Sequence, residues 1–325
     1  MKLAVISITN RCNFKCKMCD IGQRNSESSG LVPNLLGQDE LSPPKWSSLL
    51  SNLGVNAVDI VGVEPLLYPH FSVLLRWIKT GNSGSRRIRL TTNGWLFEKW
   101  LSYIGEKVDL TTTSIDGLAE THNRIRGVDG AFERAFKGIT TLRDWGKKVR
   151  VSFAITPENV SDMKAYYDLM TSNGIPVVFN HYNYIHPDSC KNTSAKSSNM
   201  VYDLTSIDTD QLLSAIKHCK KASYLPRLTT KAQLDRYYKQ PPTSRYKTMK
   251  GCKVLNENAK GKRFVINSDG TLIPGNRCWI CKEIGNALEG ARPRDVGWIK
   301  KTANDIKKNG FYPPCQRLCC AGKTV

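Results

Sequence analysis

The sequence lacks any run of about 18 or more apolar residues, so no membrane-spanning helix is expected. It also lacks an export signal, because Met1-Lys2 leads directly into a strand-like pattern. Acidic residues are scarce: 28 Asp and Glu stand against 48 Lys and Arg, for a formal net charge of +20. These features predict a cytoplasmic protein without a membrane partner, whose positive field attracts anionic partners.

Eleven cysteines in a chain without an export signal indicate metal binding rather than disulfide bonds. Three of them, Cys12, Cys16 and Cys19, follow a C-x3-C-x2-C spacing. Cysteine thiolates hold iron–sulfur clusters, and three in one short loop can ligate three corners of a [4Fe–4S] cube. No fourth cysteine follows nearby, which leaves one iron open to a substrate or cofactor. A zinc knuckle or a group of buried thiols is the alternative interpretation.

This cysteine pattern, directly after the first predicted strand, resembles that of the radical S-adenosylmethionine (radical SAM) superfamily. The resemblance implies that the open iron binds SAM and that an electron from the cluster cleaves it to a 5′-deoxyadenosyl radical. That radical would abstract hydrogen from the substrate. The residue before the third cysteine is usually aromatic in this superfamily and packs on the adenine. Here it is Met18, whose polarizable thioether is expected to take that place.

Strand and helix patterns alternate in six β/α repeats along roughly the first 180 residues. Such alternation implies parallel strands joined by right-handed crossovers. A closed eight-stranded barrel needs about 250 residues, so the expected fold class is α/β, with a partial (β/α)6 TIM-like barrel of the radical SAM type. The predicted strands are 3–8, 57–61, 88–92, 110–114, 149–155 and 177–180. The first predicted helix starts at Ser42-Pro43-Pro44, with Ser42 as N-cap and proline in its first turn, and runs to about Leu53. The other predicted helices are 71–80, 95–104, 131–145 and 161–172.

Polar residues follow the predicted strands, at the edge where barrel enzymes carry function. After strand two, Gly62-Val63-Glu64-Pro65 resembles the superfamily's Gly-Gly-Glu-Pro motif, with Val63 in place of the second glycine. The resemblance implies that the backbone here and Glu64 approach the SAM amino group. Asn93 follows strand three and is expected at the same edge.

The segment from Ser114-Ile115-Asp116-Gly117 to Arg126 resembles the SAM-binding segment of relatives that carry a C-terminal cluster domain. Ser114 and Arg126 would then contact the SAM ribose and carboxylate, and a guanidinium fork does match a carboxylate. The predicted cofactor-binding residues are Met18, Gly62, Glu64, Asn93, Ser114, Asp116 and Arg126.

Strand six is followed by a run of polar and aromatic residues that is predicted to face the barrel mouth and contact substrate. The candidates are His181, Tyr182, Asn183 and His186. The alternative interpretation is an ordinary loop with tyrosines packed on the core. Two long Ser/Asn-rich loops, 23–37 and 187–199, are expected to act as lids over the same mouth.

The last quarter of the chain predicts a small β-hairpin/helix domain. Phe264-Val265-Ile266 and Thr271-Leu272-Ile273 flank a turn signature at Asn267-Ser268-Asp269-Gly270, and a helix is expected near 296–308. Cysteines before and after this hairpin resemble those of SPASM and twitch domains, which hold auxiliary [4Fe–4S] clusters in radical SAM enzymes. The resemblance implies one auxiliary cluster, with a second cluster or a zinc site as alternatives. Its expected ligands are Cys252, Cys278, Cys315 and Cys319, with Cys281 and Cys320 as alternates.

A basic segment separates the two predicted domains. Between residues 217 and 263 stand fourteen Lys and Arg against two acidic residues, with four tyrosines interleaved. The expected domains are therefore a radical SAM barrel at 1–215, a basic helical linker at 216–250 and an auxiliary cluster domain at 251–325.

These features predict a radical SAM oxidoreductase, and three functions are compatible with them. The first is oxidation or epimerisation of an anionic small molecule, such as a phosphorylated or nucleotide-linked sugar or alcohol, with the auxiliary cluster as electron acceptor. The second is modification of a ribosomally made peptide with an acidic leader. The third is nucleic-acid binding or modification through the basic segment. A flavodoxin or ferredoxin is the expected electron donor, and Cys281 is a candidate hydrogen-atom donor for an epimerisation.

Overall fold

The computed structural model describes residues 2–19, 40–80, 85–181, 204–225, 228–239, 263–266, 268 and 270. All seven strands in these ranges run parallel, in the spatial order β6-β5-β4-β3-β2-β1-β7, and the sheet is not closed. The strands are β1 Leu3–Ser7, β2 Ala57–Val61, β3 Arg87–Thr92, β4 Leu110–Ser114, β5 Val149–Ile155, β6 Val177–His181 and β7 Arg263–Ile266. The first six confirm the predicted strands to within one residue at either end. The α/β class with a partial barrel is confirmed.

Helices connect the strands and cover one face of the sheet. They are α1 Pro43–Asn52, α2 Phe71–Lys79, α3 Phe97–Lys107, α4 Ala119–Arg126, α5 Ala131–Asp144, α6 Met163–Ser172, α7 Thr209–His218 and α8 Lys231–Tyr238. Strands β1 to β6 are spatial neighbours in chain order, so right-handed crossovers place helices α1, α2, α3, α5 and α6 on the same side. We call this side the outer face and the opposite side the inner face.

The two faces of the sheet differ in chemistry. Outer-face residues such as Ile60, Leu90 and Val151 are at most 1% exposed and form the core with the helices. Inner-face residues such as Asp59 and Thr91 alternate with them and are only half-buried. Successive side chains of a strand point to opposite faces of the sheet, which explains the alternation. In this sheet the inner face is polar.

Helix α2 shows how the apolar pattern produces the outer layer. Phe71, Leu74, Leu75 and Ile78 recur at helical spacing, and all four are fully buried. Helix α1 begins with a proline in its first turn, as predicted. Ser42 does stand at its N-cap with extended backbone, although its side chain makes no capping hydrogen bond.

Helices α3 and α4 differ from the sequence prediction. The predicted helix at 95–104 begins later, at Phe97, because Gly94 adopts a φ of 81° and the Trp95 N–H donates to the Asn93 side chain. Helix α4 was not predicted as a helix. It is short and polar, so an apolar stripe is almost absent from its sequence, and it ends at Gly127 with a φ of 67°.

Strand β7 corrects the strand count from six to seven. Residues 264–266 were predicted as one arm of a hairpin, and the structure pairs Arg263–Ile266 in parallel with β1. Asn10 donates to the hydroxyl of Ser268 at 2.9 Å, which secures the chain just after this strand. The other hairpin arm, 271–273, lies outside the described residues, and the domain boundaries stay predictions.

No helix in the described ranges combines the length and the apolar character that crossing a membrane requires.

Candidate active site

The cysteine loop, residues 12–19, packs on the carboxyl end of α4. The Lys15 N–H donates to the carbonyl of Arg126 at 3.2 Å. Gly127, which ends α4, lies directly beneath this contact. A Cβ at Gly127 would come within 2.6 Å of the Lys15 carbonyl oxygen, and its φ of 67° is a conformation that glycine adopts without strain. Glycine therefore allows the loop and the helix end to approach this closely.

The three predicted cluster ligands in this loop are thiols without disulfide bonds. Cys12 and Cys16 are 9% and 6% exposed, and Cys19 is half-buried. Burial raises the pKa of Cys12 well above its usual range and, despite a nearby arginine, raises that of Cys16 to about 11. Thiols in such surroundings ionise when positive charge such as that of iron is placed beside them.

The donor set of the loop fits an iron–sulfur cluster better than a single metal ion. Within the described ranges, no three His, Cys, Asp or Glu side chains are arranged to hold one ion together. In a [4Fe–4S] cube each thiolate ligates a different iron, so its ligands stand farther apart than those of a zinc ion. Three soft thiols on one short loop therefore fit a cluster, and their ligation of it stays a prediction.

Arg126 joins the cysteine loop to the end of β4. Its Nε donates to Oδ2 of Asp116 at 2.6 Å, and its Nη2 forms an ion pair with the same carboxylate. Its Nη1 lies 3.8 Å from Sγ of Cys16. The Arg126 and Asp116 side chains are 12% and 1% exposed, so solvent screens this pair little. The guanidinium thus places a fixed positive charge beside a predicted cluster ligand.

Asp116 is itself held from several directions. Its Oδ1 accepts from the Ala154 N–H at 2.7 Å, and its carbonyl accepts from the Asn159 side chain at 2.9 Å. Its own N–H donates to Nδ1 of His122 at 2.9 Å. His122 is fully buried, and burial lowers its pKa well below the usual value, so the ring is the neutral acceptor that this bond requires.

Glu64 connects the turn after β2 to the end of β3. Its Oε1 accepts from the Leu66 N–H at 3.0 Å and from the Thr92 hydroxyl at 2.6 Å, and its Oε2 accepts from the Asn93 N–H at 2.8 Å. Glu64 is fully buried; burial raises its pKa, and these hydrogen bonds oppose the shift. Both carboxylate oxygens are engaged within the protein, so Glu64 shapes the turn. Its direct contact with SAM stays a prediction.

The other predicted cofactor-binding residues lie at the same edge of the sheet. Asn93 donates to the Asn13 side chain, inside the cysteine loop, at 2.9 Å. Met18 packs against the buried cysteines, Gly62 directly follows β2, and Ser114 is the last residue of β4. The structure therefore brings the residues together, while their contacts with SAM stay predictions.

Of the predicted substrate and auxiliary-cluster residues, the structure describes one, His181. His181 is the last residue of β6, at the same edge of the sheet as the cysteine loop. Outside the described residues lie the substrate candidates Tyr182, Asn183 and His186 and the cysteines Cys252, Cys278, Cys281, Cys315, Cys319 and Cys320. The two lid loops also lie outside them.

The side chains that support these groups were not predicted from the sequence. Thr92 and His122 belong to polar segments at or after predicted strands, and this polarity is the feature of the sequence that could have identified them. Asn159 offered no signal, because its partner Asp116 lies 43 residues earlier and the contact depends on the pairing of β4 with β5.

Residues 6–170, which are half of the chain, match the Radical SAM superfamily. The chain belongs to the radical SAM superfamily. Proteins of this superfamily bind a [4Fe–4S] cluster and SAM, and the named relatives of this chain are enzymes. Membership supports the iron–sulfur interpretation of the cysteine loop.

Three relatives of this radical SAM chain align with about half of it. Fe-coproporphyrin III synthase of Methanosarcina barkeri is 29% identical over 188 residues, which are 56% of this chain and 44% of that protein. Pre-heme d1 synthase of Dinoroseobacter shibae is 29% identical over 184 residues, 53% and 41% of the two chains. Probable GTP 3′,8-cyclase of Metallosphaera sedula is 29% identical over 186 residues, 56% and 55%. The matched region thus spans about half the length of these relatives.

Solved structures share the fold. SuiB of Streptococcus suis bound to S-adenosylmethionine superposes with a TM-score of 0.60 at 18% identity, over 92% of this chain and 67% of that one. The anSMEcpe structure with bound AdoMet and the Cp18Cys peptide gives 0.57 at 17% identity, over 100% and 92%. At such identities the likeness establishes the fold alone.

Proposed function

We propose that this radical SAM enzyme holds a [4Fe–4S] cluster on Cys12, Cys16 and Cys19 and abstracts hydrogen from an anionic small molecule. The observation that carries the proposal is the buried cysteine loop, bonded to the end of α4 with Arg126 directed at Cys16. When bound, the cluster and SAM supply the electron and the 5′-deoxyadenosyl radical. Burial of Cys12 and Cys16 keeps water away from this region, which protects reactive species from side reactions.

Arg126 has two proposed tasks. Its positive charge stabilises the Cys16 thiolate, since hydrogen bonds to ligand sulfurs tune iron–sulfur sites. It also faces the place expected for the SAM carboxylate. Two contacts to Asp116 prevent the guanidinium from rotating away, so both tasks are prepared before the cofactor arrives.

The remaining strand-end residues are proposed to orient SAM. Gly62 offers backbone to the amino group, Asn93 and Ser114 offer polar side chains, and Met18 packs on the adenine. Glu64 supports them indirectly, because it fixes the Asn93 backbone relative to the turn after β2.

Two observations support an anionic substrate. The chain carries a formal net charge of +20. GTP and coproporphyrin, which occur in the names of two relatives, are polyanions at neutral pH. Oxidation or epimerisation of a phosphorylated or nucleotide-linked compound fits both observations.

A peptide substrate is the second candidate. One SuiB structure contains its precursor peptide SuiA, and one anSMEcpe structure contains the Cp18Cys peptide. These likenesses concern the fold, so the peptide substrate ranks below the anionic small molecule.

The auxiliary cluster and the partners remain part of this proposal. We assign one auxiliary [4Fe–4S] cluster to Cys252, Cys278, Cys315 and Cys319. Ser223, within the described part of the basic segment, donates its N–H to the carbonyl of Val177 at the start of β6. This is the end of the sheet opposite the cysteine loop, so an acidic electron donor or a nucleic acid bound at Ser223 would sit away from the radical cluster.

The cluster assignment is tested by iron and sulfide analysis with EPR on anaerobically reconstituted protein. We expect the Cys12/Cys16/Cys19→Ala variant to lose about four irons per chain and all 5′-deoxyadenosine formation from SAM and dithionite. Cys219→Ala is the matched control, because Cys219 is a fully buried thiol remote from the loop and packed on α6. Its iron content should equal that of the wild type.

Wild-type iron in the triple variant, or zinc without iron in the wild type, would contradict the assignment. The substrate class is tested with deuterated GTP and a deuterated acidic peptide as probes. Deuterium recovered in 5′-deoxyadenosine from GTP alone supports the small-molecule proposal, and deuterium from the peptide alone supports the second candidate.

A further inference from the structure

The inner face of the sheet carries a charged group below the predicted SAM site. Among the described side chains on this face, three arginines stand against one carboxylate, for a local charge of about +2. The arginines are Arg87 and Arg89 on β3 and Arg150 on β5, and the carboxylate is Asp59 on β2. Strand parity places all four on the face turned away from the helices.

Only one arginine of this group is neutralised. Arg89 pairs with Asp59, its neighbour in the β2–β3 register, through two nitrogens, of which Nη2 lies 2.5 Å from Oδ2. The two side chains remain 37% and 19% exposed. Arg87 is exposed at the lower end of β3 and has no ion-pair partner among the described residues.

Arg150 keeps most of its donors. Its Nε donates to the Thr112 hydroxyl on β4 at 2.8 Å. Within the described ranges its two Nη atoms have no acceptor, and the residue is only half-buried. Burial and, next, the charge of Arg89 lower its pKa, as expected for two partly buried cations on the same face of the sheet. An anion between them would relieve that repulsion.

A structural arginine directly before β3 provides the contrast. Arg86 is 1% exposed, and its donors reach the carbonyls of Val55 and Ile78 and the hydroxyl of Ser51. Every nitrogen of Arg86 is satisfied by the protein itself. Among the described residues, only the Nε of Arg150 has an acceptor. A purely structural role therefore does not explain its two Nη atoms.

The position of the group constrains the ligand. Arg89 lies three residues before the end of β3, and Arg150 five residues before the end of β5. At the usual strand rise these distances are about 10–17 Å. A ligand that reacts at the strand ends and reaches these arginines must therefore be extended, with its anionic group pointing into the barrel.

We propose that Arg89 and Arg150, with Arg87 at the lower end of β3, form a subsite on the inner face that binds a phosphate or carboxylate group of the substrate. The subsite deepens the proposed function and rests on it. Thr112 and Asp59 hold the two arginines apart and in place, and the Nη atoms of Arg150 donate to the anion. A guanidinium binds such oxyanions through paired hydrogen bonds.

The test measures the affinity of the anaerobically reconstituted full chain, with SAM bound, for pyrophosphate and for citrate by isothermal titration calorimetry. We expect Arg150→Met to weaken the preferred probe roughly 10- to 100-fold, as loss of hydrogen bonds to a charged group does. Asp59→Asn should tighten it roughly three- to tenfold, because it removes the one carboxylate found among the described side chains of the inner face. Arg76→Met, which removes an exposed arginine from the outer helix α2, is the control and should change nothing.

The two probes separate a phosphate ligand from a carboxylate ligand. Equal losses in Arg150→Met and Arg76→Met, no tightening in Asp59→Asn, or no saturable binding of either probe would each overturn the subsite. These affinities are measured without turnover. Failure of the wild type to form 5′-deoxyadenosine would remove the proposed function instead, so the two failures are distinguishable.

Discussion

The strand ends and the inner face use charged side chains in opposite ways. At the strand ends, Glu64 and Asp116 are 0% and 1% exposed, and each of their oxygens accepts a hydrogen bond from the protein. On the inner face, Arg89 and Arg150 are half-buried, and Arg150 retains donors that the described residues leave unused. The first region is completed by the protein before a ligand binds, whereas the second keeps charge available for one.

The largest expected effect comes from breaking the Asp116–Arg126 pair. Asp116→Ala leaves Arg126 buried without its partner, which should lower the free energy of unfolding by about 3–5 kcal/mol. Urea unfolding measures this cost. Asp144→Ala, which removes an exposed partner of Arg143, is the control and should cost less than about 1 kcal/mol. Equal costs would show that the strand-end pair is no more important than a surface pair.

Arg86, directly before β3, and Arg150, in β5, should differ in their effect on stability. Arg86→Met leaves two buried carbonyls unsatisfied and should lower the free energy of unfolding by about 2–4 kcal/mol. Arg150→Met should cost less than about 1 kcal/mol, because the side chain is half-exposed and supports one hydroxyl. Thermal and urea unfolding of both variants decide the matter. A large loss in Arg150→Met would make Arg150 a structural residue like Arg86.

The smallest expected difference in the free energy of unfolding is between alanine substitutions at two glycines. Gly127→Ala and Gly146→Ala both force alanine into the left-handed region, at φ of 67° and 69°, which costs about 1–2 kcal/mol. Only at Gly127 does the added Cβ meet backbone, the Lys15 carbonyl, while nothing lies within 4 Å at Gly146. Gly127→Ala should therefore cost about 1–2 kcal/mol more and reduce the iron incorporated into the cysteine loop. Equal unfolding energies and full iron in both variants would contradict this role of Gly127.

Much of the fold could be predicted from local patterns. Six strands and their helices were predicted because buried parallel strands and amphipathic helices leave periodic apolar residues. Helix α4 escaped, since a short polar helix carries no such stripe. Strand β7 was assigned to a hairpin, because its pairing with β1 joins residues about 260 positions apart, and local patterns contain no information on such pairing.

The site was predictable only in part. The cysteine spacing and the polar strand ends marked Cys12, Glu64 and Asp116 in advance. The contacts of these residues were not predictable: Glu64 reaches the end of β3, and Asp116 reaches β5, through the register of the sheet.

The sequence by itself determined which chemistry is available: three thiols at a short spacing, polar residues after successive strands and an excess of positive charge. Only the tertiary structure decided which charges are satisfied within the protein and which remain for a ligand. The alternation of Arg87 and Arg89 with apolar residues is visible in the sequence. Whether that face packs against the helices depends on the common direction of the crossovers. That direction is a property of the whole sheet, because it arises from how its strands pair in order.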